Sequence, residues 1–479
     1  MSEGTEAPIE PALEQPVTSA TIMPQTHVQP LADRYAAGKA LREHCSRSAQ
    51  GEWTPPAGRA DPVELLIENS RGRLEELIPI RYGRMMANPF AFYRGAAAIM
   101  AYDLSHTPDT GLKLQICGDA HLVNFGGFAT AERRIIFDIN DFDETSIAPW
   151  EWDVKRLTTS FVIAGRSNGF SPAESRQAAR QAAQTYRQQM ADYAEMPVLE
   201  SWYSYMDLEQ IIANMADKAS KRFYSRKLAK ATDQSAHEKE FAKLAYTAGE
   251  KPQIVDRPPL IFHYNDMRDA EYKAQIEDSL ARYKQSLSPD KHLLIDRYQL
   301  VDVAMKVVGV GSVGTRCGIA LLMSGNGEAL FIQFKQARQS VLEPYAGASP
   351  FSHSGRRVVV GQRLMQAASD MFLGWFDGAG PEGYQYFVRQ LNDAKIKPVI
   401  EIMKPANLVG YARLCGQALA RAHVRSGDAA VLAGYMGTST AFENALADFS
   451  EAYAVQNEHD HEALVEAVRE GRVEAEMEG

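Results

Sequence analysis

The polar–apolar pattern divides the chain into three stretches. In the first, apolar residues recur at helical spacing over DPVELLIENSRGRLEELIPIRYGRM (61–85), with Asp61 placed to cap and Pro62 in the first turn. NPFAFYRGAAAIMAYDLSH (88–106) predicts a second helix opening at Asn88-Pro89. Two short strands are predicted at KLQIC (113–117) and RRIIFDI (133–139). PWEWDVKRLTTSFVIAGRSNGF (149–170) is an amphipathic helix, and SPAESRQAARQAAQTYRQQMADYAEM (171–196) a long one starting at Ser171 or Pro172. From about 205 to 300 the pattern is mixed, polar and helical, and includes the basic run KASKRFYSRKLAK (218–230), read as a solvated helix face.

Near residue 301 the pattern turns to strand. Ser324-Gly325-Asn326-Gly327 is a hairpin signal between IALLM and ALFIQF. A helix at RRVVVGQRLMQAA, strands at MFLGWF and YQYFVRQL and a helix at YARLCGQALARAHVRSG follow, and the end is helical and acidic. The expected organisation is a disordered or extended segment over 1–60, a large helical unit over 61–300, a β unit over 301–400 and a helical return over 401–479.

Composition narrows the function. At 479 residues and 45% hydrophobic the chain can build a sizeable core. A net charge of −10 argues against a nucleic-acid binder. The four cysteines lie far apart without a CxxC pair, which suits reduced thiols better than a zinc site or a disulfide framework. No run approaches the length of a membrane span, and the acidic, Pro-rich start is unlike a secretory signal, so a cytoplasmic protein without a membrane partner is expected.

Two segments carry chemistry. LQICGDAHLVNFG (114–126) puts Asp119, His121 and Asn124 on one tight loop, and IIFDINDFDET (135–145) ends a strand in acids. Carboxylates at buried strand ends are costly unless a metal, a phosphate-bearing ligand or an arginine pairs with them. The second segment is GVGSVG (309–314), in which Gly309, Gly311 and Gly314 permit a backbone to approach phosphates closely. A strand follows these glycines where a dinucleotide-binding turn would have a helix, so a nucleotide-covering hairpin is favoured. A lysine at the end of the apolar strand ALFIQFK, Lys335, then has a use: neutralising phosphates.

GDAHLVN resembles the catalytic loop of aminoglycoside-phosphotransferase-like kinases, IIFDINDFDE their metal-binding strand, and PWEWDVKRL the element after it. The resemblance implies that Asp119 orients and helps deprotonate an acceptor hydroxyl and that Asn124 and Asp141 hold Mg²⁺ on ATP phosphates. Asp143 would either add a second metal contact or serve as a salt-bridged structural acid, and Asp153 would brace the loop from a helix. His121 is either a loop brace or a ligand. Arg81, Arg84 and Arg94 around NPFAFY are expected to pair with the acidic loop, for instance at Asp143 or Glu144, with phosphate clamping as their other reading. Trp150 and Trp152 are expected in the core, and His423 packs in the core or against the catalytic loop.

The implied fold is α+β: a protein-kinase-like pair of lobes, one a small antiparallel β lobe and the other large and mainly helical. It would be circularly permuted, because here the glycine hairpin follows the catalytic loop. Several longer segments, among them IRYGRMMANPFAFYRG, CGDAHLVNFGGF and LARAH-x-RSGD, resemble the bacterial family called domain of unknown function 2252. The expected activity is ATP- and Mg²⁺-dependent phosphoryl transfer to a small hydroxylated acceptor. Nucleotidyl transfer, a nucleotide-binding pseudokinase working through a protein partner, and a metal-dependent hydrolase built on Asp119, His121, Asp141 and Asp143 remain alternatives. The helix after Lys335 offers Gln362 where an acidic partner is wanted, and Glu343 is close in sequence to the lysine.

Overall fold

A computed structural model describes residues 28–233, 241–248, 251–264, 270–307, 309–379, 382–391 and 394–477. Residues 1–27 of the segment expected to be disordered or extended lie outside them. The chain is already helical at α1 (Leu31–His44), inside the stretch expected to be extended. This helix packs on α12 (Ala429–Met436) so closely that a Cβ on Gly38 would lie 1.9 Å from the Val431 carbonyl oxygen.

The fold is mixed α+β. Asp61 caps α2 (Pro62–Ser70), accepting from the Val63 amide at 2.8 Å. The single helix expected over 61–85 is two, because Gly72 takes a positive φ of 74° and the chain turns before α3 (Ile78–Met86). The next expected helix also divides, at Ala96, into α4 (Pro89–Gly95) and α5 (Ala97–Leu104). Both breaks face the candidate site. Strands β1 (Lys113–Ile116), β2 (Phe125–Ala129), β3 (Ile135–Ile139) and β4 (Ser146–Pro149) form two antiparallel pairs, β1 with β4 and β2 with β3. Helix α6 (Trp150–Ser167) follows directly, and α7 (Pro172–Glu195) opens with a capping box between Ser171 and Glu174. Helix α8 (Lys218–Ala231) leaves most of its charged side chains exposed, as a solvated face requires, while Tyr224, Leu228 and Ala231 pack partly buried on the core.

Strands β5 (Ala245–Ala248) and β6 (Lys251–Ile254) form a small antiparallel pair, and a six-stranded antiparallel sheet is the second unit. Its strands are β7 (Ile261–Phe262), β8 (Tyr298–Lys306), β9 (Cys317–Ser324), β10 (Ala329–Ala337), β11 (Gly374–Asp377) and β12 (Gln385–Gln390). Their order across the sheet is β11-β12-β10-β9-β8-β7. The β9–β10 hairpin turns at Gly327, whose φ is 83°. Period-two alternation buries both faces: Ala320, Leu322, Leu330 and Ile332 pack with Tyr283 of α9 (Ala270–Gln285), while Ile319, Leu321 and Phe331 pack with Leu244 and Ile254. Helix α10 (Ser354–Met365) crosses from β10 to β11.

After β12 the chain returns to the helical unit through α11 (Pro405–Val424), α12 and α13 (Ala441–Arg469). Trp150 is fully buried there, stacked between Tyr186 and Phe442 at 5.8 and 5.6 Å, and Trp152 is buried as well. All four cysteines are free and buried. Among the described residues no helix is long and apolar enough to cross a membrane.

Candidate functional site

The Asp119 loop is held from beneath by one face of α6. Asp153 accepts from the backbone amides of Cys117 (2.8 Å) and Gly118 (2.9 Å). Three residues along the helix, Arg156 donates through Nε to Asp119 Oδ1 at 2.7 Å, and Ser160 accepts from the Leu122 amide at 3.0 Å. Residues three and four apart share a helix face, so Asp153, Arg156 and Ser160 form one stripe under the loop. Gly118 has a φ of 80°, and a Cβ there would meet the Glu144 carbonyl oxygen at 2.3 Å. From the returning chain, His423 on α11 lies between Asp153 (Nε2 to Oδ2, 3.2 Å) and the Tyr186 hydroxyl (2.8 Å), and Tyr411 donates to the Leu122 carbonyl at 2.8 Å.

Asn124 donates through Nδ2 to the Asp119 carbonyl at 2.8 Å, and its Oδ1 has no donor among the described residues. His121 is buried. Its Nδ1 accepts from the Val123 amide at 3.3 Å, which assigns the proton to Nε2, 3.7 Å from Asp119 Oδ2. Burial, reinforced by Arg94 and Arg156, pushes His121 down to about 4 against the pull of Asp119, so the ring is neutral near pH 7 and braces the loop.

The second acidic group follows β3. Lys335 Nζ lies 3.1 Å from Asp143 Oδ2, and Ser312 of the glycine turn donates to the same oxygen at 3.2 Å. Asp143 Oδ1 is buried without a hydrogen-bond partner. Burial works to raise both carboxyls. At Asp141 the charges of Lys335 and Arg389 overcome it and hold the group below the usual carboxylate range. At Asp143 burial and the charge of Asp141 win, and the group is raised. Arg389 also donates to the Asn140 carbonyl at 3.2 Å. Burial, then Arg389 and Lys335, push the nearby Lys395 ammonium well down. This crowding of cations around Asp141 suits an anionic ligand.

The glycine turn joins β8 to β9. Arg73 donates to the carbonyls of Gly311 (2.8 Å) and Val313 (2.6 Å), Arg84 to that of Gly309, and the Leu74 amide to that of Gly314 (2.7 Å). The break between α2 and α3 is what aims Arg73 at the turn. With these carbonyls engaged, the amides of Gly311 and Ser312 have no acceptor among the described residues, and both residues line the cleft. The cleft between sheet and helical unit encloses about 1030 Å³ including its open mouth, and Asp119, Asn124, Asp141, Asp143 and Gly311 all line it.

The arginine expectations need correction. None of Arg81, Arg84 and Arg94 pairs with Asp143 or Glu144. Arg81 is buried on Ser70 Oγ (2.8 Å), Asn69 Oδ1 (3.0 Å) and the Gly95 carbonyl (3.2 Å), where it ties α2 to α4. Arg84 serves the glycine turn. Arg94 lines the cleft. The carboxylate beside Lys335 comes from the acidic loop: Gln362 bonds Gln366 at 2.9 Å, and Glu343 accepts from the Ser340 amide at 3.0 Å. Arg156 was missed by sequence reading although its i+3 spacing from Asp153 was there to be read. Arg73 and Arg389 carry no such local signal.

The fold and cleft together define an α+β protein with a charged site between an antiparallel sheet and a helical body. The chain belongs to the family described as "Uncharacterized protein conserved in bacteria (DUF2252)", whose model matches residues 73–467. No curated protein and no solved structure matches it.

Proposed function

We propose that the cleft binds ATP with Mg²⁺ and passes the terminal phosphoryl group to a small hydroxylated acceptor, in a circularly permuted kinase-like arrangement of two lobes. The observation that carries this reading is the meeting of Lys335 with Asp143 at 3.1 Å, two residues from Asp141 and beneath the glycine turn. The parts are those phosphoryl transfer needs: a glycine turn between two antiparallel strands, a lysine on the next strand, and an Asp–Asn loop facing them. The strand order supports it too, since a helix follows the lysine strand and β12 then pairs back on it.

The donor set fits a cation that shares its shell with phosphates. Asp143 Oδ1 is buried without a partner, and Asn124 Oδ1 and the Asp141 carboxylate line the same cleft. Among the described residues no three His, Cys, Asp or Glu side chains are grouped to hold a metal ion. Magnesium accepts this, taking one or two carboxylates and completing its shell with phosphate oxygens and water. That donor set speaks for the phosphotransferase over a hydrolase built on protein ligands. Asp141, Asp143 and Asn124 would hold the cation, which would neutralise phosphate charge there. The acceptor oxygen bonds to the terminal phosphorus as the bond to the bridging oxygen breaks. The leaving diphosphate keeps the electron pair, and the acceptor's proton passes to the Asp119 carboxylate, which Arg156 orients.

One observation favours a second reading. Lys335 takes its acid from Asp143, not from α10, where active kinases hold a glutamate. A nucleotide-binding scaffold would bind ATP–Mg²⁺ without transfer. Thermal shift with ATP–Mg²⁺ against Mg²⁺ alone tests binding, and Lys335→Ala removes the stabilisation if the cleft is the nucleotide site. Transfer of γ-labelled but not α-labelled phosphate then separates phosphoryl from nucleotidyl transfer. Absence of both with binding retained identifies the scaffold. No stabilisation in the wild type overturns the proposal.

A further inference from the structure

Arg94 lies in the last turn of α4, just before the break to α5. Its guanidinium makes no hydrogen bond and no ion pair with the described residues, and Nε is buried without a partner. Asp119 and Glu401 reach it only through space: one oxygen of Asp119 holds Arg156 at 2.7 Å and the other lies 3.7 Å from His121. A half-buried cation left in this state is costly unless something anionic completes it. Just beyond it, Ala97 and Ala98 line the cleft and open an eight-residue helix that has no side-chain cap. Its first-turn amides have no acceptor among the described residues and add to the preference for an anion.

The acids that line the cleft therefore feel cations from two sides. Lys335 and Arg389 act on Asp141 and Asp143. Arg94 acts on His121, and Asp119 acts on Arg94. We infer that Arg94, with the opening turn of α5, is an anion subsite for the acceptor. The acceptor would accordingly be a hydroxylated organic anion that presents its hydroxyl to Asp119 and a phosphate or carboxylate to Arg94. Calling the bound molecule an acceptor rests on the phosphotransferase reading. The anion subsite rests on Arg94 alone.

Inorganic phosphate is the probe, titrated calorimetrically into the full chain, first alone and then with the protein saturated by the non-hydrolysable analogue AMP-PNP and Mg²⁺. Saturable phosphate binding is expected in both conditions. In Arg94→Gln it weakens about ten- to hundredfold, the worth of one or two hydrogen bonds to a charged group. In Arg94→Lys, which keeps the charge and loses the fork, the loss is smaller. Should Arg94→Gln fail to fold, the Lys variant against wild type carries the comparison. Absence of saturable phosphate binding overturns the inference, as does wild-type affinity in Arg94→Gln. Displacement of phosphate by AMP-PNP does so too, because Arg94 would then serve the nucleotide's own phosphates. If AMP-PNP does not bind at all, the phosphotransferase reading fails while the phosphate titration still decides the subsite. Glycerol 3-phosphate and glycerate, compared with glycerol, separate phosphate from carboxylate as the group read by Arg94.

Discussion

Lys335 Nζ lies 3.1 Å from Asp143 Oδ2, joining the end of a sheet strand to a loop that follows a strand of the helical unit. The lysine is buried, and the charges of Asp143 and Asp141 raise it despite that burial. Removing it leaves two neighbouring carboxylates without their shared cation. Lys335→Met is expected to lower stability at pH 7 by about 3 kcal/mol, the order of breaking a buried pair by deleting one partner. The loss shrinks at pH 5, where Asp143, already raised, takes up a proton more easily. Lys335→Met combined with Asp143→Asn is less destabilised than the lysine variant alone. Urea denaturation of the four proteins at both pH values measures the coupling, and additive single effects contradict it.

Asp119 holds Arg156, and Arg156 in turn donates to the Tyr93 carbonyl at 2.8 Å and stacks 4.2 Å from that ring. Asp119→Asn keeps an oxygen for Arg156 but removes the carboxylate that the proposed transfer uses as proton acceptor. The expected outcome is loss of transfer by about a hundredfold or more, with ATP–Mg²⁺ stabilisation kept within a few-fold. Asp119→Ala in addition strands the Arg156 charge and lowers stability by about 3 kcal/mol. A thermal-shift titration beside a γ-phosphate transfer assay separates the two effects. Full transfer in Asp119→Asn removes this residue from the chemistry.

Asp153 accepts from two consecutive backbone amides and from His423, all buried. Asp153→Ala leaves three donors without an acceptor and costs about 3–5 kcal/mol. Asp153→Asn retains one oxygen and loses roughly half as much. Hydrogen exchange at the Cys117 and Gly118 amides reports the site directly: exchange close to the wild-type rate in Asp153→Ala means the carboxylate does not anchor the loop.

Much of this arrangement was legible locally. Helix caps at Asp61 and Ser171, the Gly327 hairpin and the spacing of Asp119, Asn124, Asp141 and Asp153 all depend on residues near one another in sequence. What was hidden is long-range. The pairing of Lys335 with Asp143 spans 192 positions, and Arg73 reaches a carbonyl 240 positions away. Such contacts follow from topology, and no window of sequence contains them. The break of each early helix into two was also hidden, because apolar spacing continues across Gly72 and Ala96 and only packing decides where the chain turns. The helical state of Leu31–His44 was masked by a weakly apolar segment whose partner, α12, lies almost four hundred residues on.

The α1–α12 crossing leads to a paired prediction. A Cβ on Gly38 would lie 1.9 Å from the Val431 carbonyl oxygen and 2.9 Å from the Tyr435 nitrogen, both backbone atoms that cannot rotate away. Gly38→Ala must separate the helices and is expected to cost about 3 kcal/mol. Gly410, inside α11, has open space where a Cβ would stand, with no neighbour within 4 Å, so Gly410→Ala is expected to gain about 0.5–1 kcal/mol from lost chain freedom alone. Thermal melts of the two variants should move in opposite directions. Equal shifts would mean that α1 does not pack as described.

His121 links stability to acid. Its folded value of about 4 lies below the ordinary 6.5, so the unfolded chain takes up the proton first as the pH falls. The stability held by the neutral ring is complete above about pH 6.5 and is lost progressively down to about pH 4, amounting to some 3 kcal/mol. Asp141, held low in the fold, adds a loss of the same sign at lower pH, while the raised Asp143 and Glu144 act in the opposite direction. Replacement isolates the histidine from these. His121→Asn retains an acceptor for the Val123 amide and has no proton to gain, so its denaturation free energy should fall by about 2–3 kcal/mol less than wild type between pH 7 and pH 4.5. A neutral histidine also predicts that any transfer activity shows no limb assignable to His121 between pH 5 and 8. Equal acid slopes for wild type and His121→Asn would place the ring in solvent, charged in the ordinary way, and not under Asp119.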